Sequence, residues 1–118
     1  MKVCVPSMGT SINDDICQHF GRAPYYLIVD TEDGSLDVLE NRGEHAGGVG
    51  KPPEHIAKRG VQVMICSSLG PKAIQMLENF NIRTYVGACG TINQAIRQWK
   101  EGKLRPADVH SACKEHRH

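Results

Sequence analysis

From residue 61 the chain alternates, in short regular units, between runs suited to a strand and runs suited to a helix. No other feature constrains the fold as much. "VQVMIC" is an apolar run. "GPKAIQMLENF" follows, with Ala73, Leu77 and Phe80 along one helical face and Pro71 in the first turn, where a missing amide hydrogen costs nothing. "NIRTYVGA" is strand-like again. "TINQAIRQWKEG" then opens with Thr91 and Gln94 in capping-box spacing, repeats Ile92, Ala95, Ile96 and Trp99 at helical intervals, and stops at Gly102. Strands separated by helices pair in parallel through right-handed crossovers, so this half predicts a parallel sheet covered by helices.

The first half adds strands of another kind. "KVCVP" reads as a strand buried on both faces and closed by Pro6, and "YYLIVDT" resumes strand character at residues 25 to 31. "EDGS" holds the Asp-Gly pair of a tight hairpin, and "LDVLEN" returns with Leu36, Val38 and Leu39. After the four glycines of "RGEHAGGVGK", "PPEHIAKRG" predicts a helix stopped by Gly60. The expectation is a three-layer α/β domain over residues 1–104, its sheet mixed from an antiparallel hairpin and parallel strands. The polar, proline-broken remainder, residues 105–118, reads as a flexible tail.

At 118 residues there is material for one hydrophobic core. Fourteen Lys and Arg against thirteen Asp and Glu leave a formal charge of +1, so no global field draws the chain to nucleic acid or to an anionic membrane. With no signal peptide and no run of eighteen apolar residues, the chain reads as soluble and cytoplasmic. Five cysteines (Cys4, Cys17, Cys66, Cys89, Cys113) without framework spacing point to free thiols or metal ligands, not disulfides. Thiolate, with the imidazoles of His19, His45, His55, His110, His116 and His118, suits Fe, Zn or Cu better than Ca or Mg.

In an open parallel sheet, ligands collect at the carboxyl ends of the strands. The loop Ser7 to His19, "SSLGP" and "GACGT" should open on that edge and make neighbours of Cys17, His19 and Cys89, with Cys66 at a strand mouth. Two helix starts there, Gly70 to Lys72 and Gly90 with Thr91, present unpaired amides and a positive dipole end, an anion cradle or simply two tight turns. His19 in "HFG" is either a metal ligand or a turn cap. Cys4, between Val3 and Val5, reads as core. "HAGGVGK" lacks the spacing of a phosphate-binding loop and reads as a flap that offers His45 to the cleft. The tail "CKEHRH" places Cys113, His116 and His118 within six residues, a second metal site or a solvated end. Asp14, Asp15 and Asp30 form no acidic pair suited to a metal-dependent nuclease.

The order "VCVPSMGTSINDDICQHFGRAPYYLIVD", "HAGG" before a helix, then "GVQVMICSSLGPKAIQMLENFNIRTYVGACGTINQAI" and "GKL" resembles the dinitrogenase iron-molybdenum cofactor biosynthesis family over residues 1 to 104. The resemblance implies a ribonuclease H-like fold with a mixed five-stranded sheet. It also implies a non-catalytic role in binding or transferring an iron-sulfur or iron-molybdenum type cluster, with a cluster donor or acceptor protein as partner. Carried over by motif, the family's histidine falls on His19, and its Gly-rich segment falls on His45 to Gly50. Its "GxGP" turn appears as "SLGP", residues 68 to 71, which departs at the first glycine. The alternative is a regulatory or scaffold module that takes a protein partner or an oxyanion and carries no cluster.

Overall fold

The computed structural model describes residues 1–41 and 52–107. His45, Cys113, His116 and His118, the flap and most of the expected tail therefore lie outside the described residues. Among the described residues six strands and three α-helices run in the order β1 (Lys2–Ser7), β2 (Tyr25–Asp30), β3 (Leu36–Glu40), α1 (Pro52–Lys58), β4 (Val63–Ile65), α2 (Pro71–Asn79), β5 (Arg83–Val86), α3 (Ile92–Lys100) and β6 (Arg105–Ala107). A single 3-10 turn, Phe20–Arg22, precedes β2.

The strands form one mixed sheet in the order β3-β2-β1-β4-β5-β6. β1 is central, antiparallel to β2 and parallel to β4; β5 continues parallel to β4, and β6 returns antiparallel to β5. The sheet therefore has six strands, not five. The sixth is built from Arg105–Ala107, the first three residues of the segment expected to be tail. An edge strand buries little, so "RPA" carries no apolar alternation to announce it.

Side-chain alternation sorts the core into two layers. Val3, Val5, Leu27, Val63 and Ile65 pack on one face with Ile92, Ala95 and Ile96 of α3. Cys4, Tyr26, Ile28, Met64 and Cys66 pack on the other with Ile56 of α1 and Leu77 of α2. Pro6 does not close β1, which runs on to Ser7. The carbonyl of Pro6 accepts from Cys17 N–H at 2.9 Å, so it faces away from β2. The absent amide hydrogen points the same way, past the end of the β4 ladder, which pairs only at Val3 and Cys4.

Candidate functional site

The carboxyl edge of the sheet carries an open cavity of about 950 Å3 between the 3-10 turn, the start of α1, the Ser68–Gly70 loop and α2. His19, Arg22, Gly70, Lys72 and Met76 are among its lining residues, and no described lining residue is acidic. His19 and Arg22 come from the loop after β1. There the carbonyl of His19 accepts from Arg22 N–H at 3.1 Å, while its side chain makes no capping bond to the turn. His19 is an exposed residue.

The floor of that loop is fixed from beneath. Tyr26, buried on β2, donates its hydroxyl proton to the Phe20 carbonyl, and the two rings stack tilted at 5.4 Å between centroids. Asn41 Nδ2 donates to the Ala23 carbonyl at 2.9 Å and to the Gly21 carbonyl at 3.2 Å. These bonds hold both the backbone ahead of β2 and the residues that carry His19 and Arg22.

The two helix starts differ. At α2, Gly70 caps without a side chain and Pro71 has no amide hydrogen; the amides of Lys72 and Ala73 have no partner among the described residues, and the first helical bond is Ile74 N–H to the Gly70 carbonyl, 3.1 Å. At α3 every early amide is used by the chain itself. Ile92 N–H donates to Asp14 O and Asn93 N–H to Ile12 O, both at 2.9 Å, while Thr91 and Gln94 close their capping box. The amides of Thr91 to Gln94 are thus engaged within the chain, whereas, among the described residues, those of Lys72 and Ala73 are not.

The expected thiols are likewise separated. Cys17 is buried beside the cavity, its S–H directed at the His19 carbonyl at 3.5 Å, and it is not a lining residue. Ile16 N–H bonds to Gly90 O and Cys17 N–H to Pro6 O, so this pair extends like a strand and sends Ile16 into one core layer and Cys17 into the other. Cys66 is buried as well. Cys89 is exposed in the loop ahead of α3 and is tied to that helix: its N–H meets Gln98 Oε1 at 3.2 Å and its carbonyl accepts from Gln98 Nε2 at 3.1 Å. Among the described residues no group of three or more His, Cys, Asp or Glu is arranged to hold a metal ion. Arg22 and Met76 were not anticipated. Arg22 lies three residues after His19, the spacing of one turn, which is the signal that could have found it.

At the carboxyl edge of this mixed α/β sheet the cavity thus brings Arg22 and Lys72 together, with no acidic side chain among the described lining residues. The chain belongs to the dinitrogenase iron-molybdenum cofactor family, whose sequence model matches residues 1–102. It is similar to an uncharacterized protein of Methanocaldococcus jannaschii, 31% identical over 109 residues that cover 88% of this chain and 89% of that one. It also resembles a Thermotoga protein provisionally named a NifB protein and placed in the DUF35 family, at TM-score 0.74 and 28% identity over 89% of this chain and 91% of the other. The apo form of the orange protein of Desulfovibrio gigas shares the fold at TM-score 0.78 and 23% identity, covering 90% of this chain and 92% of that one.

Proposed function

We propose that the protein is a non-catalytic carrier that binds or transfers an iron-sulfur or molybdenum-containing cluster in this cavity, between a donor and an acceptor protein of metallocluster assembly. One observation carries the reading: an exposed imidazole without a capping bond shares a cavity with Arg22, Lys72 and the open amides at the start of α2, and no described lining residue is acidic. Metal-sulfur clusters are commonly anionic, and a helix start with two cations offsets that charge. His19 supplies the ligand, and Gly70 and Lys72 the cradle. We take the ribonuclease H-like architecture to serve here as a binding scaffold. The lack of a three-donor group among the described residues favours a cargo held by few bonds and much charge. It equally favours the second reading, an oxyanion- or partner-binding module without a cluster.

Anaerobic titration of apo-protein with iron and sulfide, and separately with thiomolybdate, tests both. Stoichiometric charge-transfer bands that vanish in His19→Ala, and that weaken with salt less steeply in Arg22→Gln/Lys72→Gln than in the original chain, are the expected result. Absence of bands in every protein, with molybdate or phosphate still bound, would leave the module reading in its place.

A further inference from the structure

Arg22 stands on a turn of three residues, Phe20–Arg22, that supplies little of its own geometry. Arg22 N–H reaches the His19 carbonyl at 3.1 Å, Ala23 N–H reaches Phe20 O only at 3.5 Å, and no side chain caps the start of the turn. The rest of its support comes from the sheet. The side-chain amide of Asn41 donates to Gly21 O at 3.2 Å and to Ala23 O at 2.9 Å, the carbonyls on either side of Arg22. Asn41 is itself fixed: it follows Glu40, which pairs with Tyr25 in the β2–β3 ladder, and its N–H donates to the Pro24 carbonyl at 3.0 Å. The two hydrogens of one amide thus tie the backbone on both sides of Arg22 to the end of the sheet.

Arg22 is exposed and lines the cavity, whereas Asn41 is half-buried and is not among the described lining residues. A long cationic side chain in water holds an anion weakly, because each new contact must also order the chain that carries it. With the backbone of Arg22 already fixed, part of that ordering precedes binding. The guanidinium is then presented from one wall of the cavity while Lys72 stands on another, α2. We propose that Asn41 is a positioning residue of this site: it touches no ligand and raises the affinity for an anion through Arg22. The inference rests on the cavity being the anion site proposed above and adds a residue that acts on it from outside.

The test is a double-mutant cycle on the full chain, read by anaerobic titration with thiomolybdate, whose visible bands report binding. Asn41→Leu removes both donors at nearly equal volume and without a change of charge. The expected result is an affinity about three- to tenfold lower, the cost of ordering one long side chain, with the cooperative urea transition retained. In an Arg22→Gln background the same substitution should change affinity by less than about twofold, whereas in Lys72→Gln its full effect should persist. Tyr26→Phe removes the hydroxyl bond to Phe20 O and leaves the two Asn41 bonds to the turn. It should repeat the pattern with a smaller loss, and it takes the place of Asn41→Leu if that variant does not fold. Unchanged affinity in the folded variant, or an equal loss with and without Arg22, overturns the proposal and leaves the anion site standing. An unsubstituted chain that takes up no thiomolybdate also overturns it, and iron-sulfide bands that vanish in His19→Ala would even then retain the carrier.

Discussion

Cys4, Cys66 and Tyr26 are ionisable groups on one buried face of the sheet. Burial pushes the Cys66 thiol up; it does the same to Cys4, with neighbouring Cys66 adding to the effect. Burial also raises the Tyr26 hydroxyl, helped by Cys4, Cys66 and Cys17. In each case the fold prefers the protonated form and the unfolded chain loses its proton first. Stability from these groups is therefore complete below the ordinary thiol value of 9.0 and falls as pH rises above it. Each group contributes a slope of about 1.4 kcal/mol per pH unit once its unfolded form ionises, the thiols first and Tyr26 about a unit later. Urea midpoints at pH 7, 9 and 10.5 should fall only beyond pH 9; a midpoint unchanged at 10.5 would show that the three groups titrate alike in both states. Cys4 was legible as core from its place between two valines. Cys17 was not, because its burial comes from its own hydrogen bond to Pro6 and from that of the neighbouring Ile16 to Gly90, 74 positions away from Ile16.

α3 is the element most completely specified by local sequence. Thr91 Oγ1 accepts from Gln94 N–H at 3.2 Å and Thr91 N–H donates to Gln94 Oε1 at 2.9 Å, so the box foreseen from spacing forms in full. Gly90 is required beside it: its φ is +88°, and a Cβ there would sit 2.2 Å from Gln94 Oε1. Thr91→Ala should cost about 1 kcal/mol of global stability, measured by urea unfolding, with Thr91→Ser recovering most of it. The same helix shows where spacing stops informing. That its amides are spent on the Ile12 and Asp14 carbonyls is a property of how the loop after β1 crosses the helix start, and nothing in "GACGT" records it.

Across the whole molecule, β6 closes the far edge of the sheet, pairing Thr84 with Ala107, Tyr85 with Pro106 and Val86 with Arg105. A chain ending at Leu104 should be less stable than one ending at Ala107, by on the order of 1–3 kcal/mol. It should also self-associate through the bared β5 edge, as sedimentation would show. Equal stability and a monomer in both would make β6 an ornament of the sheet. The sequence alone determined the alternation of strands and helices, the hairpin, the capped α3 and the family, because each is written in local periodicity, turn chemistry and motif order. Tertiary structure decided which of the expected site residues meet. His19, Gly70 and Lys72 share one cavity with Arg22 and Met76, while Cys17 turns inward and Cys89 turns to α3. The physical reason is that strand alternation and long-range backbone hydrogen bonds set the direction of each side chain. A loop's sequence records neither the strand that receives its amides nor the face on which its residues fall.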